Sequence, residues 1–185
     1  MAWSDIETAI RAWVKSGSGL TDEQVIWADQ NGGSPALPFI DIRLGELVPV
    51  GAADASDWEY DAGGPAGQEI VMSGHGVREF AVSVRAFSAS PLGNSSARAL
   101  LSKVQTALAL ESARSALHAA GVTPFDNGRV QVVPAILETS WEGRAVLQVR
   151  FYTEETVTER TTYIDTVEVT NEEPTPDQTF QVTIE

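Results

Sequence analysis

The chain has 185 residues, of which 43% are hydrophobic and 21% are charged, so one domain with a sizeable core is expected without a metal or a disulfide. It contains no cysteine, which excludes thiol catalysis, cysteine-ligated metal centres and a disulfide framework. Its 26 acidic and 12 basic residues give a formal net charge of -14, and the basic residues are scattered singly, so the surface is expected to repel nucleic acid and anionic lipid.

Targeting and membrane signals are the next features to consider. The N-terminus lacks a basic segment followed by an apolar stretch, and no run of about 18 apolar residues occurs anywhere in the chain. We therefore expect no signal peptide, no membrane partner, and a location in the cytoplasm where the chain is made or in a particle assembled there.

The first predicted element is an amphipathic helix. Ser4 and Glu7 have the spacing of a capping box, in which each side chain bonds an early backbone amide. Apolar residues then recur at helical spacing up to Val14, and Gly17 and Gly19 are expected to end the helix.

Two strands are predicted next, over 25–28 and from 39 to 44. In the second strand the alternation places Asp41 and Arg43 on one face and apolar residues on the other. The stretch 51–67 that follows is rich in Gly, Ala, Asp and Pro. It predicts a loop that is mobile or is ordered by a partner, with a short strand around residues 58–60.

The second half begins with a clearly alternating strand over 79–87. Asn94 or Ser95 is expected to cap a helix that breaks near Glu111 and stops at Gly121. Strand material is predicted over 130–133 and 136–137. A hairpin turn is predicted at residues 142–143, and it leads into a second clear strand over 144–152.

The composition changes after residue 152. The segment 153–185 is acidic and Thr-rich, keeps an apolar-polar alternation over 163–169 and 180–184, and contains two prolines. A disordered acidic tail is the alternative interpretation, but the β-branched residues favour an extended arm. We therefore predict an α+β domain over 1–152 and an acidic extended arm over 153–185.

Together these elements predict an α+β fold. It consists of a mixed, mostly antiparallel sheet with two helical segments packed on it, plus an extended C-terminal β-type arm.

The chain offers little that would support catalysis. His75 lies between two glycines in a predicted loop and would be the base of a small hydrolase, but no G-x-S-x-G motif accompanies it. The acidic cluster from Asp54 to Asp61 lacks the spacing of a calcium-binding loop. We predict no catalytic residue, no cofactor and no metal site, so the chain is not expected to be an enzyme.

Aromatic and apolar residues in loops and in the arm are the candidates for contacts with other subunits. Large aromatic side chains outside a core often anchor a protein partner. A carbohydrate-binding module would use the same aromatics, but the missing signal peptide argues against a secreted lectin. The predicted interface residues are Trp58, Tyr60, Trp141, Tyr163, Ile164, Val167, Val169, Phe180 and Val182, with Ile184 in the same pattern.

The order of the N-terminal elements resembles that of a known family. The helix over 6–14, the block over 25–30 and the strand over 38–44 resemble the tailed-phage neck or tail terminator (tail completion) family. The likeness covers roughly residues 4 to 152 and does not extend to the arm.

The resemblance implies a structural virion protein of the tail or neck, assembled in the host cytoplasm and without an active site. It implies a homo-oligomeric ring, commonly hexameric, that caps the tail tube protein and joins it to the head completion or connector protein. DNA would pass through its channel without specific binding. A head completion protein or a tail-tube-like subunit would share this architecture, so both remain alternatives.

Overall fold

A computed structural model of the chain describes residues 2–30, 32–33, 35–51, 54–90, 92–133, 135–137, 140–162, 166–170 and 179–183. Side chains are described within these ranges up to residue 133 and from residue 142 to residue 162. The chain forms two compact units. The first unit comprises Met1–Ala53 and Gly76–Glu155, and the second unit comprises Asp54–His75 and Thr156–Glu185.

The helices belong to the first unit. They are α1 over Trp3–Ser18, α2 over Ala97–Ala107 and α3 over Glu111–Ala119. The predicted break in the second helical segment is present, but it lies at 108–110, and Glu111 begins α3 instead of interrupting a helix.

The start of α1 differs from the prediction. The helix begins at Trp3, and its N-cap residue Ala2 makes no side-chain hydrogen bond, so the capping-box prediction for Ser4 is wrong. Ser4 lies in the first turn, where its carbonyl oxygen accepts a hydrogen bond from Thr8 Oγ1 at 2.7 Å. Because the indole of Trp3 packs edge-on against Phe80 in the core, tertiary contact extends the helix past the local capping signal.

The N-cap of α2 also differs from the two predicted residues. Ser96, not Asn94 or Ser95, is the N-cap, and its side chain accepts a hydrogen bond from the amide three residues further on. The buried hydroxyl of Ser88 accepts a second bond, from the amide of Ala97 at 3.0 Å. This contact from a neighbouring strand fixes where the helix begins.

The two glycines near the end of α1 have different roles. Gly19 ends the helix in the left-handed conformation, with a φ of 72°, and its N–H donates to the carbonyl of Lys15. Gly17 lies inside the helix, contrary to the prediction. A Cβ atom there would lie 2.8 Å from the Cα of Val104, so the missing side chain allows α1 and α2 to pack closely.

The strands are Val25–Trp27 (β1), Phe39–Leu44 (β2), Val48–Pro49 (β3), Ala55–Tyr60 (β4), Ile70–Ser88 (β5), Val122–Asp126 (β6), Val130–Val132 (β7), Ala135–Leu137 (β8), Ser140–Thr161 (β9), Thr166–Thr170 (β10) and Thr179–Thr183 (β11). The first nine form a mixed, mostly antiparallel open sheet. Its main order is β1-β2-β5-β9-β6, and β3 and β4 pair with β5 while β7 and β8 pair with β9. The pair β1–β2 is parallel, and the other described pairs are antiparallel. The predicted α+β class is confirmed.

The core of the first unit lies between one face of the sheet and the helices. The alternation predicted for β5 and β9 is confirmed within residues 79–87 and 144–152, where every second residue is buried: Phe80, Val82, Val84, Ala86, Ala145, Leu147, Val149 and Phe151. Trp13 of α1 packs edge-on against Phe151, and its Nε1 donates to the carbonyl of Val104 at 3.1 Å. The helices therefore cover this face and leave the other face of the sheet uncovered by helix.

Two strand predictions need correction. Residues 142–143 do not form a turn, because both lie within β9, where Glu142 pairs with Ala135. The register of β8 and β9 brings Leu137 opposite Ser140, which places the connection earlier. The sequence pattern also missed β6, which contains Pro124 and lies at the end of the main strand order, where a missing backbone N–H is tolerated.

The second unit contains two hairpins. Strand β4 pairs with residues 70–75 of β5 in an antiparallel register. It gives the predicted loop over 51–67 a six-residue strand, twice the predicted length. Strands β10 and β11 form a separate two-stranded antiparallel sheet. That the loop becomes ordered only in an assembly stays a prediction.

The division of the chain differs from the predicted boundary at residue 152. Strand β9 crosses that position without a break and continues to Thr161. Thr153 is buried and pairs with Val122, and its Oγ1 donates to the carbonyl of Gly121 at 3.1 Å. The first unit therefore includes the first residues of the predicted arm, and residues 54–75 group with the rest of it.

Candidate interaction surface

Strand β4 is exposed over all six of its residues. Since residues directly opposite each other in an antiparallel pair share a face, Trp58 lies beside Met72 and Tyr60 beside Ile70 on the same side of the hairpin. Trp58 is 72% exposed and Tyr60 is 53% exposed. We call Trp58, Tyr60, Ile70 and Met72 the aromatic face.

The opposite face of this hairpin is polar. Asp57 Oδ1 lies 3.4 Å from His75 Nε2, and Thr156 Oγ1 lies 3.3 Å from His75 Nδ1. His75 is thus a strand residue and not a loop residue as predicted. Both distances are somewhat longer than the distance of about 2.6–3.2 Å that is typical of a nucleophile and its base.

The closed end of the hairpin is held to β9 within the second unit. Arg160 donates from Nη2 to Asp61 Oδ2 at 2.6 Å and from Nη1 to the carbonyl of Gln68 at 3.2 Å. These contacts lower the pKa of Asp61 below its ordinary value, mainly through the Arg160 hydrogen bond and next through the amide of Gly63. The contacts of Arg160 therefore fix the hairpin that carries the aromatic face.

Two acidic residues of this region are engaged in such pairs. Asp57 faces His75 and Asp61 binds Arg160, while Glu59 lies on the exposed strand. Among the described residues, no group of three His, Asp or Glu side chains is arranged to hold a metal ion.

In the first unit, the sheet face without helices carries an ion pair whose carboxylate is buried. Arg85 makes a bidentate contact with Asp41, with nitrogen–oxygen distances of 2.6 and 2.7 Å. Asp41 is only 6% exposed. The hydrogen bonds to Asp41 raise the pKa of Arg85, so the guanidinium stays charged.

Further along this face Arg150 connects three strands. It donates to Glu79 on β5 at 3.3 Å and to Asp126 on β6 at 3.1 Å, and its pKa is raised first by the bond to Asp126. It also lies over the ring of Phe125, which stacks on Tyr152 at 4.0 Å between centroids. Four arginines of this face have a carboxylate within ion-pair distance, namely Arg43, Arg85, Arg144 and Arg150.

The predicted interface residues fall into three groups. Trp58 and Tyr60 meet on the aromatic face. Strand pairing places Val167 opposite Val182 and Val169 opposite Phe180, on one face of the β10–β11 hairpin. Trp141 lies in β9 opposite Ile136 and not in a loop, but its side chain is outside the described part. The predicted residues Tyr163, Ile164 and Ile184 lie outside the described residues altogether.

Sequence reasoning missed the other members of these surfaces. Met72 and Ile70 join the aromatic face only through strand pairing, and the sole signal was their spacing of two residues in an apolar stretch. Exposed apolar residues of the first unit were also missed. Val48 and Val50 lie beside β5, where the amide of Val50 donates to the carbonyl of Val77 at 3.0 Å.

No helix in the described part of the chain is long and apolar enough to cross a membrane. No curated protein matches the sequence. A family model does match, that of the phage neck terminator protein, and it covers residues 4–177. The match extends well past residue 152, where the likeness was expected to end, and the chain therefore belongs to the phage neck terminator protein family.

Proposed function

We propose that the chain is a ring-forming neck terminator that caps the tail tube and joins it to the head completion complex. Its family is a structural one of the virion neck. The observation that carries the proposal is the aromatic face, because a large aromatic side chain that is 72% exposed on a regular, braced strand is typical of a surface that another protein covers.

A ring follows from the kind of contact that such a subunit can make. Homo-oligomers either pair one patch with itself or join two different patches head to tail, and the second arrangement gives a ring where the rotation between subunits closes and an open filament where it does not. The chain offers separate candidate patches in the aromatic face and in the β10–β11 hairpin. A hexamer is the expected closed form.

The charge distribution supports passage of DNA without specific binding. The net charge is -14, and four arginines of the helix-free sheet face are each paired with a carboxylate. A guanidinium that already has a carboxylate partner gains less from a phosphate, and the surrounding negative charge repels the duplex. A channel built from such subunits needs no cofactor and performs no catalysis.

The test is an assembly reaction with purified tail-tube subunits. We expect native mass spectrometry to show a closed ring of the wild-type protein, and electron microscopy to show that this ring stops tube growth at one end. Head completion protein should then bind to the capped tubes and not to uncapped ones.

The competing roles predict other results. A tail-tube-like subunit would polymerise by itself or enter the tube along its length. A head completion protein would bind the connector without limiting tube length. Either result would overturn the terminator role.

A further inference from the structure

We infer that the β10–β11 hairpin of one subunit covers the aromatic face of a neighbouring copy of the same chain. The inference rests on the proposed ring and names the contact that would close it. Two short hairpins of the second unit carry it, each with one apolar face.

The acceptor is the aromatic face. Trp58 remains 72% exposed and Met72 38% exposed in a chain that already contains its own β10–β11 hairpin. The hairpin of the same chain therefore leaves Trp58 exposed, so a neighbouring copy can reach it.

The donor is the β10–β11 hairpin. Its register pairs Val167 with Val182 and Val169 with Phe180, so four apolar residues share one face. A two-stranded hairpin is at best marginally stable in water, since it has no second layer to bury such a face. Packing against another sheet would supply that layer.

The charges of the two hairpins favour contact through their apolar faces. Copies that each carry a net charge of -14 repel one another, so a contact between them must keep carboxylates out of the interface. On β4 the alternation places Asp57 and Glu59 opposite to the aromatic face. On β10 it places Glu168, paired with Gln181, opposite to the apolar face.

The two hairpins also match in length. Strand β4 has six residues, and β10 and β11 have five each, so the two sheets present faces of similar length. Short sheets of this kind pack face to face at about 10 Å, with their side chains interdigitated. Because donor and acceptor are different patches, each subunit uses both, and the contact runs head to tail around the ring.

A cysteine cross-link tests which copy supplies the cover. The chain has no native cysteine, so the double variant Trp58→Cys with Phe180→Cys carries one thiol on each patch. Under oxidising conditions we expect a ladder of covalent oligomers up to ring size. A cross-link confined to single chains, or no cross-link at all, would overturn the inference. The matched control is Leu92→Cys with Phe180→Cys, because Leu92 is 80% exposed but lies in the first unit.

A mixing experiment tests the head-to-tail geometry. Trp58→Glu removes the acceptor and Val169→Glu removes the donor, and loss of a central apolar contact should lower the ring fraction of each by about tenfold or more. Mixed together, the two variants retain one intact contact per pair, so we expect one-to-one dimers and no rings. Leu92→Glu should assemble like the wild type, and circular dichroism should show that all three variants are folded.

The outcomes separate this inference from the proposed function. If the wild type forms no closed oligomer, the ring itself is wrong and the inference fails with it. If the wild type forms rings and both glutamate variants do so equally well, the terminator role stands and this contact alone is wrong.

Discussion

Arg85 and Arg43 lie on neighbouring strands and each binds a carboxylate, but the two carboxylates differ in burial. The side chain of Asp41, the partner of Arg85, is 9% exposed, whereas that of Asp29, the partner of Arg43, is 70% exposed. Removing the partner of a buried charge leaves that charge desolvated and unpaired, while an exposed charge is solvated by water.

We therefore predict that Arg85→Met lowers the free energy of unfolding by about 2–3 kcal/mol, allowing for the partial exposure of Arg85 itself. The matched control Arg43→Met should change it by less than about 0.5 kcal/mol. Urea denaturation of both variants measures the difference. Equal effects would show that the burial of Asp41 does not govern the stability of this face.

Gly17 provides a second prediction at the residue scale. In an exposed helix Gly→Ala stabilises by up to about 1 kcal/mol, but at this position the new Cβ would lie 2.8 Å from a backbone atom of α2. We expect Gly17→Ala to be destabilising by about 1–3 kcal/mol through forced separation of α1 and α2. Gly33→Ala, where nothing lies within 4 Å, should be nearly neutral in the same thermal melts. A stabilised Gly17→Ala variant would contradict the close helix crossing.

At the scale of elements, the contacts of β9 determine how far the chain can be truncated without loss of core contacts. The described hydrogen bonds of Thr153 and the ion pair of Glu155 with Arg78 at 3.5 Å lie within the first unit. A chain that ends at residue 162 keeps them and loses only β10 and β11 among the described strands. A chain that ends at residue 152 removes residues from a core strand.

We predict that the protein comprising residues 1–162 folds with an unchanged melting temperature but does not form rings. The protein comprising residues 1–152 should melt lower by roughly 2–8 °C, because loss of a buried hydrogen bond and strand pairing costs about 1–2 kcal/mol. Calorimetry and native mass spectrometry on the two proteins check this. Normal ring formation by residues 1–162 would show that the arm is dispensable for assembly.

Local signals predicted the elements better than their ends. The period-two pattern of β5 and β9 was sufficient because a sheet with one buried face imposes it on any sequence. The starts of α1 and α2 were predicted wrongly, because several residues that could cap a helix lie next to one another in each case. Contacts outside each helix decided the starts: the Ser88 hydroxyl, nine residues before Ala97, favoured Ser96, and Phe80, far away in the sequence, favoured Trp3.

At the scale of the whole molecule, the net charge of -14 opposes assembly of identical subunits. Raising the salt concentration from about 0.01 M to about 0.1 M shortens the screening length from about 30 Å to about 10 Å. If the contact is apolar, we expect rings to form at lower protein concentration in the higher salt, as measured by analytical ultracentrifugation. The variant Trp58→Glu should remain unassembled at both concentrations. Assembly that weakens with salt would point instead to ion pairs across the interface.

The sequence by itself determined the fold class, the absence of a cysteine-based site, the alternating core strands and the family resemblance. The first three depend on composition and on periodicities that each segment carries within itself, whereas the resemblance depends on particular residues in the helix over 6–14, the block over 25–30 and the strand over 38–44. Only the tertiary structure decided that Met72 lies beside Trp58, that Gly17 serves helix packing, and that the strand predicted to end at residue 152 continues to Thr161. Those properties depend on pairing between segments far apart in the chain, and local patterns do not specify which segments pair.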